Sequence, residues 1–530
     1  MKKTHLALIA FVNLIFYLPI IISSLKFYDD DFIIFAYITS NPSSPIITDP
    51  SAQYFLFLRP LSYFSFWIDY TLFSNNYIAI KLVSLTFHII FIMVVYFLLN
   101  RISKKFNLFT DTKIILLLCL ILSIHLDSLL WIIFINNRTE QLMILFYSLS
   151  LLYFIKYTDA FYKKYIVLSF LYFLLSLLSK QTGLHLPLIF LVFILYEYYS
   201  NKAAYLRNKE LVYFLIISIV VILLAAILNL YFYKDQLGIS ENLWKKPFTI
   251  FSIIIHTLIP LYSNYIHNFF IINKIYATIL FIFACSIIIL SILLLKKRYQ
   301  ISNTKILLAL ALFILIFIPR VFAIGSQRLN GIILLWLCIS LLLVGKFISN
   351  SKLIYSSLLI VFLLGTIMFY IRANQIIACN NYKEEKFINL IHYQDTRSGN
   401  TLIICYDTYD ILPYKYEYYV QSKFGKTNKL ISIPIMYELV LVNYDLSFYK
   451  KVFINCERNG NEFTLTSDDP LIYLLIYKND SSINLVNIKE TVISDSGRGY
   501  KKIVFSLSKD LLNGVDNFVY FNGLNWIELK

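Results

Sequence analysis

The sequence is poor in charged residues, and this scarcity excludes an ordinary water-soluble protein. Of its 530 residues only 15% are charged, whereas 59% are hydrophobic and 17% are aromatic, and the mean hydropathy is +0.69. A soluble domain cannot bury that much apolar surface, because hydrophobic cores stop growing as domains enlarge. The lipid bilayer must therefore be the solvent for most of the chain.

Sequence motifs for metal and nucleotide chemistry are also missing. The six cysteines show no C-x-x-C spacing, so they predict no metal site. The chain has no glycine-rich phosphate-binding motif and no tandem repeats, so ATP-driven chemistry has no support. Cys379, Cys405 and Cys456 lie in the polar C-terminal part and could include one disulfide.

The basic residues mark one side of the membrane. The net charge is +16, but lysine and arginine cluster in every second loop between apolar runs, at 101–113, 156–164, 202–209, 296–305 and 346–352. This is the positive-inside pattern and not a nucleic-acid surface. It predicts a multi-pass protein of the plasma (inner) membrane with a cytoplasmic N-terminus. The segments then expected outside are 26–79, 132–138, 180–182, 234–274 and 320–328.

The apolar runs predict a mainly α fold, a polytopic membrane bundle of about eleven transmembrane helices within residues 1–374. Segment 247–273 is apolar but contains His256, Pro260 and His267. If this segment crossed the membrane, the basic Lys296–Arg298 would lie outside, against the positive-inside pattern. We therefore expect it to be a re-entrant or interfacial segment on the outer side.

Residues 375–530 have a different composition. Polar residues become frequent, and short β-rich runs appear at Thr401–Cys405, Leu471–Tyr477 and Lys502–Leu507, with turn signals at Asn459-Gly460 and Asn513-Gly514. We therefore expect a small extracytoplasmic domain that is α/β or mostly β.

Charged residues collect on the predicted outer face. They are Asp29, Asp30, Asp31, Arg59, Asp69, Arg138, Glu140, Lys180, Arg320 and Arg328. Ionisable groups are costly at a membrane and are candidates for function by default. A transferase that takes a sugar from a lipid phosphate needs a carboxylate to remove the acceptor proton and cations to hold the leaving phosphate.

Simpler interpretations of these residues stay open. The aspartate run could be a solvated loop, Arg138 could pair with Glu140, and Lys180 could extend to the interface from a helix end. His88 could be a core histidine with satisfied hydrogen bonds.

Taken in order, five segments resemble the GT-C superfamily of polytopic glycosyltransferases, above all the bacterial protein O-mannosyltransferase-like and lipid A aminoarabinose transferase-like members. They are Phe27–Ile34, Leu58–Tyr63 with its continuation through Asp69 to His88, Trp131–Gln141, Leu178–Gly183 and Gln327–Asn330. The likeness covers the first 200 residues and Arg328. Gln181 departs from it, because the family commonly has Glu there.

The resemblance implies a polyprenyl-phosphate-linked sugar donor and transfer outside the cytoplasm to a cell-envelope glycan, lipopolysaccharide or protein. On this hypothesis Asp29 and Asp30 are catalytic. The donor phosphate is bound by Arg59, Arg138, Lys180 and Arg328, with Glu140, His88 and Asp69 in support. Transfer inverts the anomeric configuration. A divalent cation, magnesium or manganese, is optional and would bind Asp29 and Asp30. The partners are the lipid-linked sugar, the acceptor and the bilayer, with no nucleic acid.

Two other functions remain as alternatives. An O-antigen polymerase or ligase would usually have a large outer loop between late helices, whereas this chain has its polar bulk at the C-terminus. A flippase or transporter of lipid-linked glycans would predict charges deep in the helices and symmetry between the two halves. We see neither in the sequence.

Overall fold

The structure is a computed structural model in which the helical part is described over residues 3–23, 38, 59–74, 76–106, 112–200, 209–233, 331–345 and 351–395. The C-terminal part is described over 401–405, 430–434, 454–467, 486–493, 500–507, 512, 515, 517–521 and 526–529. Asp29, Asp30, Asp31, Arg320, Arg328 and the segment 247–273 lie outside these ranges. The predictions for them are therefore not addressed by the structure.

The predicted mainly α class is confirmed, and its helices follow the apolar runs of the sequence. They are α1 (Lys3–Ser23), α2 (Pro60–Phe73), α3 (Tyr77–Lys105), α4 (Thr112–Ser123), α5 (Leu126–Ile133), α6 (Arg138–Ala160), α7 (Lys163–Ser179), α8 (Leu186–Ser200), α9 (Lys209–Tyr233), α10 (Gly331–Gly345) and α11 (Ser351–Asp395). Short 3-10 turns at Ile135–Asn137 and Gln181–His185 precede α6 and α8.

Four helices of the described ranges are long and apolar enough to cross a bilayer. These spans are Lys3–Ser23, Tyr77–Lys105, Arg138–Ala160 and Ile354–Gln375. Large apolar side chains on α1, α9 and α11 stay exposed, among them Phe11, Leu223 and Leu364. Such surfaces are stable against lipid tails and unstable in water. The other predicted spans fall in shorter helices or lie partly or wholly outside the described residues.

Helices α3 and α6 pack against each other and run parallel. Gln141 contacts Ser84 near one end, and Arg101 contacts Asp159 near the other. The contacting residues are 57 positions apart in the first contact and 58 in the second. A nearly constant separation means that the two helices run in the same direction. The chain returns between them through α4 and α5, which meet at a break near His125. The predicted span 114–131 is therefore two helices.

Small polar residues join α6 to the antiparallel α7. Ser150 Oγ donates to the Ser169 carbonyl at 2.7 Å, and Ser169 Oγ donates back to the Ser150 carbonyl at 2.9 Å. Nearer the other end, Ser176 Oγ donates to the Met143 carbonyl at 3.0 Å. Serines allow close backbone approach and supply interhelical hydrogen bonds where water is absent.

The last helix runs further than the composition change predicts. Helix α11 is continuous from Ser351 to Asp395, so the proposed boundary at 374/375 falls inside it. By compactness the chain divides near 370/371, four residues before that boundary. The helix has no proline or glycine near residue 374 to end it.

The C-terminal unit contains two four-stranded sheets, which confirms the β-rich expectation. One has the order β2-β1-β7-β8, from β1 (Thr401–Cys405), β2 (Leu430–Pro434), β7 (Asn517–Phe521) and β8 (Trp526–Glu528). In it β1 is parallel to β2 and β7, while β7 and β8 are antiparallel. The other is antiparallel in the order β3-β4-β6-β5, from β3 (Ile454–Asn459), β4 (Glu462–Ser467), β5 (Val486–Ile493) and β6 (Tyr500–Leu507).

Two sequence signals in this unit can be checked directly. The Asn459-Gly460 turn closes the β3–β4 hairpin, and Gly460 has a φ of 63°, a left-handed conformation that favours glycine. Cys456 is a buried free thiol, so it is not part of the disulfide that the sequence allowed. Burial raises the pKa of that thiol to about 12, which leaves it unreactive in the folded state.

The sidedness predicted from the basic loops can be tested by cysteine labelling. We expect an impermeant maleimide to label Asn459→Cys in intact cells, in a chain whose native cysteines are replaced. Lys164→Cys should be labelled only after permeabilisation. Both positions are exposed, so detergent-solubilised protein should label at either site and serves as the control. Labelling of Lys164→Cys in intact cells would contradict the orientation.

Candidate functional site

Four of the predicted site residues come together where α2, α3, α6 and the turn after α7 meet. Asp69 lies on α2, Arg138 and Glu140 lie in the first turn of α6, and Lys180 ends α7. All four are buried. Arg59 lies directly before α2, with Pro60 as the first helical residue, a position that proline favours.

Arg138 and Asp69 form a buried ion pair in which the guanidinium is fully enclosed. Arg138 is 0% exposed, and Nη1 donates to the Asp69 carboxylate and to Ser65 Oγ, the latter at 3.2 Å. Nε and Nη2 donate to Ser84 Oγ at 3.2 and 2.9 Å, and Nη2 also donates to the Ile80 carbonyl at 2.8 Å. The five donors of the guanidinium match these contacts in number.

The surroundings explain why this pair is needed. A positive charge in the first turn of α6 opposes the helix dipole, and the apolar interior offers it no water. The Asp69 carboxylate compensates the charge, and the rings of Phe66 and Phe87 lie 5.4 and 5.8 Å from the guanidinium carbon. Burial raises the pKa of the Asp69 carboxyl from its ordinary value, and Arg138 partly offsets that rise.

A second buried ion pair joins α6 to the turn after α7. Lys180 Nζ donates to Glu140 Oε2 at 2.7 Å. Glu140 Oε1 is buried and accepts no hydrogen bond from the part of the chain that the structure describes. Within the described residues, the carboxylate therefore has one acceptor atom without a hydrogen-bond partner.

The pairing of Arg138 with Glu140, which the sequence left open, does not occur. Residues two apart on a helix point in different directions, so they do not meet. Arg138 contacts a residue of α2 and Glu140 contacts the residue that ends α7. The two charges thus fasten two different elements to α6.

A hydrogen-bonded chain fixes the turn that carries Lys180. His185 Nδ1 lies 2.9 Å from the Thr182 carbonyl, which can only accept, so Nδ1 carries the proton. His185 Nε2 then accepts from Tyr147 at 3.3 Å, and Tyr147 accepts from Trp336 Nε1 at 3.0 Å. No local sequence pattern predicts this network, because its members are far apart in the chain.

Close packing at Gly183 holds the same turn. A Cβ added to Gly183 would lie 2.8 Å from Ser176 Oγ, closer than real Cβ atoms approach. Glycine therefore allows the turn to lie directly against α7, and this accounts for the residue that ends the Leu178–Gly183 segment.

His88 lies outside the ion-paired cluster, in an aromatic part of the core. It is fully buried, its Nε2 is 3.3 Å from the Ser123 carbonyl, and its ring meets those of Tyr17 and Trp131 edge-on. His88 is thus a core histidine, but its hydrogen bonds are not all satisfied, because Nδ1 is buried without a partner among the described residues. Among the residues that the structure describes, no group of three or more His, Cys, Asp or Glu side chains could hold a metal.

Comparisons with known proteins leave the family open. No family model matches the chain, and no curated protein matches it in sequence. A search of solved structures finds ArnT from Cupriavidus metallidurans, crystallised with undecaprenyl phosphate, at 10% identity and a TM-score of 0.45. The match covers 96% of this chain and 99% of ArnT. These values are too low to assign a function, so we take support for one from the site itself.

Breaking the Arg138–Asp69 pair should destabilise the protein strongly. We expect Asp69→Asn to lower the free energy of unfolding by about 3–5 kcal/mol, because it leaves a buried guanidinium without its counter-charge. The double variant Asp69→Asn/Arg138→Gln should recover much of that loss. Equilibrium unfolding in mixed micelles measures both.

The matched control is Glu210→Gln, which removes the carboxylate from the Lys163–Glu210 ion pair, whose side chains are 81% and 31% exposed. It should cost at most about 1 kcal/mol. Equal losses for Asp69→Asn and Glu210→Gln would show that burial does not make the Arg138–Asp69 pair more important for stability.

Proposed function

We propose that this protein is an integral-membrane glycosyltransferase. It moves a sugar from a polyprenyl-phosphate donor to an extracytoplasmic acceptor. The observation that carries the proposal is the buried cluster of two ion pairs. Its residues come from three separate segments, Leu58–Tyr63 with its continuation to Asp69, Trp131–Gln141 and Leu178–Gly183. These are the segments that resemble the GT-C superfamily.

Buried charges in a membrane protein point to a function that needs them. Replacing buried ion pairs by apolar groups is often neutral or stabilising, so stability alone is a weak reason for two of them. Intramembrane ionisable groups commonly mark substrate pathways. A leaving phosphate is an anion, and fixed cations at the end of a helical bundle are suited to hold it.

Within the proposal the cations have different tasks. The Arg138 donors are engaged by protein groups, so we assign Arg138 the positioning of α2 against α3 and α6. Asp69 is its counter-charge. Lys180 and Arg59, with Arg328, are then the cations that bind the donor phosphate. Glu140 orients Lys180, and its free oxygen can accept a hydrogen bond from a sugar hydroxyl.

The proposed reaction is a direct displacement at the anomeric carbon. Asp29 or Asp30 removes the proton from an acceptor hydroxyl, and the acceptor oxygen forms a bond to the anomeric carbon. The bond from that carbon to the phosphate oxygen breaks, and polyprenyl phosphate leaves with the electron pair. Attack from the opposite face inverts the configuration. A magnesium or manganese ion at Asp29 and Asp30 would help hold the phosphate, and it stays a prediction.

The acceptor side of the proposal is less specific. A cell-envelope glycan, lipopolysaccharide or a protein would meet the same need for a nucleophilic hydroxyl. The C-terminal sheets are an additional folded unit, and we assign residues 375–530 to binding this acceptor outside the cytoplasm.

Replacing the two catalytic candidates tests the mechanism. We expect Asp29→Ala/Asp30→Ala to abolish sugar transfer, because no carboxylate then removes the acceptor proton, while membrane insertion is unchanged. Asp31→Ala removes the adjacent charge of the same run and should keep most of the activity. Transfer is followed by mass spectrometry of surface glycans in cells that express each variant. Full activity of the double variant would overturn the mechanism.

The same spectra separate the competing functions. A transferase predicts loss of one hexose- or pentose-type residue from otherwise intact glycans when the gene is deleted. Loss of whole chains would indicate a polymerase or ligase instead. A flippase is distinguished by a separate measurement on extracted lipids, in which the lipid-linked sugar would accumulate on the cytoplasmic side.

A further inference from the structure

A second charged site lies at the opposite end of the α3–α6 pair. There a cavity of about 400 Å³ opens between the C-terminal ends of α3 and α6 and the start of α4. Its polar lining consists of Tyr96, Asn100, Arg101, Lys104, Thr112 and Lys156. Phe97 and Leu152 supply an apolar wall. None of these residues has a role in the proposed sugar transfer.

Among the residues that the structure describes, positive charge exceeds negative charge around this cavity. Arg101 Nε donates to Asp159 Oδ2 at 2.6 Å, and Lys105 Nζ donates to Oδ1 of the same carboxylate at 3.0 Å. Both oxygens are thereby engaged. Among the described residues, no carboxylate pairs with Lys104 or Lys156. The Lys156 ammonium lies over the Tyr153 ring instead, 4.6 Å from its centroid.

The position of the cavity along the bundle corresponds to a membrane surface. At about 1.5 Å per residue, the stretch of α6 from Arg138 to Lys156 is about 27 Å long. That is close to the roughly 30 Å of a bilayer's hydrocarbon core. If the ion-paired end lies at one membrane surface, the basic cavity lies near the other, where the basic loops 101–113 and 156–164 predict the cytoplasm.

We propose that this cavity binds the headgroup of an anionic phospholipid from the cytoplasmic leaflet. The phosphate is held by Lys104, Lys156 and Arg101, and Asn100 and Thr112 supply neutral hydrogen-bonding groups. Basic pockets between transmembrane helices on the cytoplasmic side suit such headgroups. The apolar wall of Phe97 and Leu152 favours a lipid over a free anion, because it can contact the glycerol and first acyl carbons.

Lipid titration with the purified full chain tests this proposal. Native mass spectrometry measures binding of phosphatidylglycerol and of phosphatidylcholine with the same acyl chains. We expect phosphatidylglycerol to bind more tightly. Lys104→Gln/Lys156→Gln should weaken its binding by roughly 25-fold, since each of the two basic residues near a membrane contributes about fivefold. The charge-retaining Lys104→Arg/Lys156→Arg should keep wild-type affinity.

Control variants and competitors make each outcome decisive. Lys163→Gln/Lys164→Gln removes two positive charges from the same end of the bundle but outside the cavity, and it should bind phosphatidylglycerol like wild type. Equal weakening by both glutamine pairs would indicate general surface attraction and overturn the site. Phosphatidylcholine binding as tightly as phosphatidylglycerol would also overturn it. Inorganic phosphate that displaced the lipid and bound with equal affinity would overturn the proposal too, because the site would then bind a free anion.

Discussion

The Arg138–Asp69 ion pair is the constraint on which the helical part of the structure depends. A guanidinium that no water can reach must find its partners in the protein, so α2 must lie where Asp69 meets the start of α6. The contacts of Arg138 with Ile80 and Ser84 add α3 to the same junction. The Glu140–Lys180 pair brings in the turn after α7. Four elements thus meet at one place, because each of the two buried cations needs a buried carboxylate as its counter-charge.

Because α3 and α6 run parallel, two regions with different charge arrangements lie at the opposite ends of this helix pair. At one end two enclosed ion pairs join the first turn of α6 to α2 and to the turn after α7. At the other end, among the described residues, the cations Arg101, Lys104, Lys105 and Lys156 outnumber the carboxylate of Asp159. Between the ends the buried residues of α3 and α6 are mainly apolar. On our account, sugar transfer uses the ion-paired end and the anionic leaflet is recognised by the other.

Composition and charge pattern predicted the helices and the β-rich tail, but they could not predict the pairing of side chains. Apolar runs located α3, α6 and α7 within a few residues, and the Asn459-Gly460 signal located a hairpin. Arg138 and Asp69 are 69 residues apart, and nothing local encodes their contact. The Tyr147–His185–Trp336 chain likewise depends on three-dimensional packing. Helix α11 passes the predicted boundary because a change to polar composition does not by itself end a helix, and the chain has no proline or glycine near residue 374.

The central claim is that the ion-paired end of the bundle binds a lipid phosphate, and affinity for polyprenyl phosphate tests it most directly. The comparison is between Glu140→Gln and Glu140→Gln/Lys180→Met, because the double variant removes both charges of the pair. Our account predicts that Glu140→Gln retains binding, since the glutamine amide oxygen can still accept from Lys180 and the lysine charge is kept. The double variant should bind roughly 10- to 100-fold more weakly, the effect expected for loss of a hydrogen bond to a charged group. Equal affinity of the two variants would contradict the account.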